Sequence, residues 1–176
     1  LGNAYILPVS YFCNNLFLTD WDADSMENIE FNDLFDFLYE MKYGKKPDEE
    51  KYRNGIPKEE FENVVRTYFD LSAENLEVYA RYDREQGVYP WEAIGPWNRV
   101  QQFQPFPEVV KCEENGDGIW TLYVEAVFVE EGTDCSFQHE VTMKEMDGRW
   151  IYLGNKVDRD GSYSIPGYKA RREFIE

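Results

Sequence analysis

The sequence predicts an α+β protein in which N-terminal helices pack on a curved antiparallel β-meander. Apolar residues recur at helical spacing in the first half of the chain and alternate with polar residues in the second half. Turn sequences rich in glycine, aspartate and asparagine separate the alternating segments. That combination is typical of strands joined by hairpins, so the meander is antiparallel.

We expect a single domain over residues 1–176, because a chain of this length with 43% hydrophobic and 17% aromatic residues can bury one core. The pattern divides it into five segments. These are an N-terminal arm (1–27), helices (28–82), an aromatic and proline-rich connection (83–107), an antiparallel sheet (108–157) and a C-terminal tail (158–176).

Three helices are predicted in the first half of the chain. Apolar residues recur at helical spacing between Ile29 and Met41, and Gly44 is a typical stop signal for helix one. Pro57 suits the start of helix two, since its missing N–H is not needed there. Ser72 can cap helix three.

Four strands are expected, at about 108–114, 119–129, 136–146 and 149–157. In the second strand every even position from Trp120 to Phe128 is apolar, which predicts that one face of the sheet is core.

The last hairpin permits two registers. A two-residue turn at 147–148 pairs Met143 with Tyr152, whereas a type I turn with Gly148 as a bulge shifts the pairing by one residue. We favour the bulged register, because it unites the apolar residues of both strands on one face. It turns Trp150 and Tyr152 to the opposite face.

The net charge of -17 is spread along the chain and bears on the kind of partner. An acidic field repels phosphate backbones and anionic lipid headgroups, so we expect no nucleic-acid binding. We also expect no direct membrane insertion of this segment, because no apolar run approaches the ~20 residues that span a bilayer. The expected partner is an unknown small molecule or a protein, of neutral or cationic character.

The three cysteines match no zinc-site spacing. A bridge between Cys112 and Cys135 is unfavourable, because hairpin register separates them by roughly 20 Å.

Several sequence phrases carry a family resemblance. They are Tyr-Phe-Cys-Asn-Asn-Leu-Phe (11–17), Tyr-Phe-Asp-Leu-Ser (68–72), Tyr-Asp-Arg-Glu-Gln-Gly-Val-Tyr-Pro (82–90) and Asp-Gly-Arg-Trp-Ile-Tyr-Leu-Gly-Asn-Lys-Val (147–157). They look like an uncharacterised family of secreted or lipid-anchored proteins from Gram-positive anaerobes. The helices followed by a meander resemble the cystatin-like cone of the nuclear transport factor 2-like superfamily. The resemblance implies an extracytoplasmic location, with an anchor removed from the N-terminus as one form of it, and carries no named activity.

His139 is the only histidine and therefore the first catalytic candidate. It lies in phase with the apolar residues of its strand, on the side where a cone would hold a pocket. One interpretation is a general base or hydrogen-bond donor in that pocket, and the other is a core histidine with polar partners. Both stay open.

Aromatic residues in and before the connection are the ligand-binding candidates, together with His139. They either form the rim of a pocket or a small satellite core. They are Tyr79, Tyr82, Trp91 and Trp97.

No metal or cofactor is expected. Asp20-Trp-Asp-Ala-Asp24 has the alternate carboxylates that open a calcium loop, but Ser25 stands in place of the turn glycine and Phe31 in place of the bidentate glutamate. No nucleophile elbow, phosphate loop or Cys/His arrangement is present.

The leading hypothesis is a non-catalytic extracytoplasmic module that binds a small molecule or a protein. One alternative is a pocket enzyme of the proton-transfer isomerase or dehydratase type that uses His139. The other is a structural or homodimeric subunit that associates through its open sheet face.

Overall fold

The computed structural model describes residues 1–96, 104–130, 133–160 and 164–173. It confirms the predicted class: a few helices pack on one face of a curved antiparallel sheet of five strands, in a cone-like arrangement. The helices are α1 (Phe31–Tyr43), α2 (Lys58–Tyr68) and α3 (Ala73–Tyr79), after a π-helical turn at Gly2–Ile6. The strands are β1 (Trp21–Asp22), β2 (Ile56–Pro57), β3 (Val88–Tyr89), β4 (Phe106–Gly116), β5 (Ile119–Glu130), β6 (Thr133–Met146) and β7 (Arg149–Asp158).

The helix boundaries follow the predicted signals. Gly44 ends α1 in the left-handed conformation, with φ of 67°, and its N–H donates to the carbonyl of Glu40 at 2.8 Å. Pro57 immediately precedes α2. Ser72 caps α3, because its Oγ accepts from the backbone N–H of Asn75 at 3.1 Å.

The sheet has the strand order β1-β7-β6-β5-β4, and every neighbouring pair is antiparallel. Two-residue β1 covers part of the edge of β7, while β4 forms the opposite end. A separate ribbon pairs β2 with β3 beside the helices.

The predicted bulge at Gly148 is wrong. Asp147 and Gly148 both have positive φ, 53° and 77°, as a two-residue type I′ turn requires, and Met143 pairs with Tyr152. The extra residue instead lies at Leu153, where the register shifts by one.

This displaced bulge reconciles the two registers. On the side of the bulge away from the turn, His139 pairs with Val157, as the favoured register requires. Between the turn and the bulge, Tyr152 faces the helices and is fully buried, so the prediction that Tyr152 points to the opposite face is wrong. Trp150 lies two residues from Tyr152 on the same face, packs against the core and meets Trp120 with ring centroids 6.3 Å apart, so the prediction for Trp150 is wrong as well.

The face of the sheet that the helices cover is called the helix-side face, and the opposite face is called the outer face. The helix-side face carries buried residues such as Leu122, Val141 and Tyr152. The outer face carries the alternate residues, among them Tyr123 and Glu140. The helix-side core also takes in a set of fully buried arm residues, namely Ile6, Val9, Leu16 and Phe17.

The cysteines stand where the hairpin argument placed them. Cys112 lies opposite Leu122 and Cys135 lies opposite Val127, so they sit beside separate parts of β5 and no disulfide joins them. Cys112 is exposed on the strand at the end of the sheet.

Candidate functional site

His139 lies on β6 with only 1% of its surface exposed, between the sheet and the arm. The Tyr11 hydroxyl lies 2.8 Å from Nε2, and Oδ1 of Asn155 lies 2.7 Å from Nδ1. Phe17 covers the ring, with centroids 5.2 Å apart. Both ring nitrogens therefore have partners, and the arm closes the space beside them.

Asn155 determines which nitrogen of His139 carries the proton. Nδ2 of Asn155 donates to the carbonyl of Thr19 at 2.8 Å, so Oδ1 is the acceptor for the Nδ1–H of His139. Nε2 then accepts from the Tyr11 hydroxyl. The result is a chain of hydrogen bonds that leaves the arm at Tyr11 and returns to it at Thr19.

Burial keeps this chain neutral. Desolvation lowers the pKa of His139 to about 4, although the bond to Asn155 acts in the opposite direction. Burial also raises the pKa of Tyr11 far above its ordinary value. A general base needs a lone pair that a substrate can reach. His139 has both nitrogens engaged inside the core, so its geometry favours the core-histidine interpretation.

The aromatic candidates that the structure describes lie among the helices rather than beside His139. Tyr79 stacks on Phe31, with ring centroids 6.5 Å apart. Tyr82 packs on Tyr89 at 5.0 Å. Trp91 is buried, and its Nε1–H donates to Asp36 at 3.0 Å. Trp97 lies outside the described residues.

Arg171 of the tail forms a buried polar cluster that no sequence signal predicted. Its side chain is 2% exposed, and it donates to the carboxylates of Asp33, at 3.1 Å, and Asp36, at 2.6 Å. It also donates to the carbonyl of Glu92 at 2.8 Å, and Tyr168 donates to Asp33. The tail is thereby fixed to α1 and to the connection. No spacing signal links residues so far apart in sequence.

A groove of about 690 Å³ crosses the outer face of the sheet. Val124, His139 and Val157 form its floor, and because their side chains point to the helix side, the floor there is backbone. Its walls come from all four long strands and from the segment that follows β7. They are formed by Val110, Lys111, Tyr123, Glu125, Gln138, Glu140, Lys156, Asp158, Arg159 and Asp160.

Two cations of the groove are already neutralised by neighbouring acids. Lys111 Nζ lies 2.5 Å from Oε1 of Glu113 and 4.9 Å from the centroid of the Tyr123 ring. Arg159 lies 3.8 Å from a carboxylate oxygen of Asp20. Lys156 lies opposite Glu140, and Glu125, Asp158 and Asp160 add three further carboxylates to the lining. The groove therefore carries a net negative charge.

The carboxylates singled out for calcium have local roles. Oδ1 of Asp22 accepts from the backbone N–H of Asp24 at 2.9 Å. Oδ1 of Asp20 accepts from the backbone N–H of Val157 at 2.7 Å, which fixes the arm to β7. Within the described ranges, no group of three or more His, Cys, Asp or Glu side chains is arranged to hold a metal ion.

The fold and its surfaces define a class: an α+β protein with a filled helix-side core and an open acidic groove on the outer face of its sheet. The chain belongs to a family of unknown function, DUF6070, whose model matches residues 1–171. This agrees with the resemblance to an uncharacterised family. No curated protein and no solved structure matches the chain. In the described part of the chain, no helix has the length and apolar character needed to cross a membrane.

Proposed function

We propose that this protein is a non-catalytic module that binds a cationic ligand in the groove on the outer face. The observation that carries the proposal is the contrast between the two faces of the sheet. The arm fills the helix-side face around His139, whereas the outer face holds a groove of about 690 Å³, which falls in the size range of small-molecule sites.

The charges of the groove favour an amine as the ligand group. Glu125 and Glu140 stand on neighbouring strands on either side of the Val124–His139 row, where their carboxylates can accept charge-assisted hydrogen bonds from an ammonium group. Tyr123 adds an aromatic surface that already lies close to one ammonium group, that of Lys111. The net charge of -17 raises the local concentration of such ligands.

Titration with spermidine tests this proposal, with amide chemical shifts as the readout and 0.15 M salt to screen unspecific attraction. We expect shifts that saturate and cluster at Tyr123, Glu125, Glu140 and Lys156. The double variant Glu125→Gln, Glu140→Gln loses two ionic acceptors and should weaken binding about tenfold or more. Glu85→Gln removes one exposed carboxylate outside the groove and should change affinity less than about twofold.

Triglutamate serves as the anionic control and should leave these amides unchanged. Shifts that scatter over the acidic surface, or that persist in the double variant, would contradict a ligand site in the groove.

The proposal includes an extracytoplasmic location and kinship with nuclear transport factor 2-like cones. The sequence phrases that resemble secreted or lipid-anchored proteins support the location, and helices on one face of a curved antiparallel sheet support the kinship. Fractionation of the source cells tests the location. Recovery of the protein from the cytoplasm alone would contradict it.

A further inference from the structure

The strand β4 lies at the end of the sheet, and Gly2 of the N-terminal turn packs against its residue Val109. The hydrogen-bonding partner of β4 on one side is β5, and no described strand pairs with its other side. Along this edge Val110 is 52% exposed and Cys112 is exposed. Unpaired N–H and C=O groups on such an edge are a template for another strand.

Two bulges limit which part of β4 can pair. Register shifts at Val110 and Asn115 divide β4 into two regular stretches. The first, Phe106–Val109, contains Pro107, which has no N–H to donate, and this leaves Lys111–Glu114 as the stretch suited to pairing. Charged side chains in this stretch discourage indiscriminate pairing. A partner strand must therefore be short and must match these charges.

A second copy of the chain meets this requirement in one register. Along a strand, the backbone N–H and C=O groups of successive residues point alternately to one edge and to the other. In a two-fold antiparallel pair, two residues that face each other must point these groups the same way, either both towards the shared edge or both away from it. The axis must then pass through one residue, which faces its own copy. Centring on Lys111 opposes two lysines, and centring on Glu113 or Glu114 opposes two glutamates, which is unfavourable.

Centring the pair on Cys112 avoids every one of these repulsions. Lys111 of each copy then faces Glu113 of the other, so the ion pair that these two side chains make within one chain, at 2.5 Å, gains a reciprocal partner. We propose that two copies of this protein associate through the edges of β4, in an antiparallel pair centred on Cys112.

This interface is independent of the ligand proposed above, but it adjoins the groove. Val110 and Lys111 line the groove and belong to the paired strand. In the dimer, two sheets of five strands become continuous, and the two grooves lie on either side of the axis. Because each copy carries a charge of -17, association is weak at low salt and strengthens as salt screens the repulsion.

Disulfide trapping tests the register. Cα atoms of directly opposed residues lie about 4.5–5.5 Å apart, within the range that a disulfide spans. With diamide as the oxidant, which takes up the two protons and two electrons of the thiols, we expect the native chain to form a Cys112–Cys112 dimer. Peptide mapping identifies the bridge, and Cys112→Ser should abolish it.

Charge variants separate a specific interface from random collision. Lys111→Glu places two pairs of glutamates across the axis and should slow cross-linking about tenfold. The double variant Lys111→Glu, Glu113→Lys reverses both charges, restores the complementarity and should recover the rate to within about threefold. Both positions are solvent-accessible, and far-UV circular dichroism verifies that the variants fold.

The proposal is overturned if the single and the double variant cross-link at the same rate. Bridges that form mainly through Cys135 would also overturn it, as would sedimentation showing only monomer at millimolar concentration in 0.5 M salt.

Discussion

Successive residues of each long strand point alternately to the helix-side face and to the outer face of the sheet, and the two faces are very different environments. On β6, His139 is 1% exposed and bonded to the arm, while Glu140 next to it is exposed in the groove. The sheet by itself does not cause this difference, since both faces could hold a ligand. The arm causes it, because Tyr11 and Phe17 occupy the helix-side face. A segment without regular periodicity thus decides which face is open.

The largest expected effect comes from truncating the arm inside the core. Phe17 is fully buried against His139 and Tyr152, so Phe17→Ala should lower the free energy of unfolding by about 3–5 kcal/mol. Tyr123→Ala removes an aromatic ring from the outer face and should lower it by less than about 1.5 kcal/mol. Urea denaturation measures both variants. Equal losses would show that the two faces do not differ as described.

The pH dependence of stability should also distinguish the faces. The pKa of His139 is about 4 in the folded chain and 6.5 in its ordinary state, so the unfolded chain binds a proton first as pH falls. The stability from the neutral ring is complete above pH 6.5 and is lost as pH falls towards 4, by ~3 kcal/mol in all.

His139→Gln should lack this component, so the difference in unfolding free energy between native chain and variant should shrink from pH 7 to pH 4. Because the carboxylates titrate in both proteins, only this difference is diagnostic. A difference that is constant over the range would mean that the ring is accessible to solvent.

A pair of side-chain amides gives the smallest contrast. Asn155→Ala leaves the Nδ1–H of His139 and the carbonyl of Thr19 without a buried partner and should cost about 2 kcal/mol. Gln138→Ala removes a single bond to Glu125 on the outer face and should cost about 0.5 kcal/mol or less. Thermal unfolding of the two variants measures the contrast. A Gln138 effect as large as that of Asn155 would indicate that the groove is structurally closed.

Local signals predicted the elements of this fold well. The ends of the helices were predicted from Gly44, Pro57 and Ser72, because each of these residues acts through its own backbone conformation or side chain. The even apolar positions of β5 predicted the core face, because alternation is an intrinsic property of a strand.

Contacts between residues far apart in the sequence could not be predicted from such local signals. The bulge lies at Leu153 next to Gly154, but a glycine within a strand does not by itself place a bulge, so the face of Tyr152 was not predicted. Arg171 reaches Asp33 across most of the chain, and the arm has no periodicity to show which face it covers. His139 was singled out for its position in phase with the core, but its partners Tyr11 and Asn155 come from distant segments. The groove combines side chains of all four long strands. Which charged residues of neighbouring strands lie opposite each other depends on the register, and the sequence of one strand does not contain that information.

The bond between Tyr11 and His139 joins residues 128 positions apart, and this separation has a consequence for biosynthesis. The arm is translated well before β6, the strand that receives it. At the usual pace of synthesis, about 5–20 residues per second, the arm waits roughly ten seconds for its binding surface. Its apolar residues are exposed to chaperones and to other nascent chains throughout that interval. The arm therefore leaves the ribosome well before β6 and yet cannot fold onto the sheet before β6 is made.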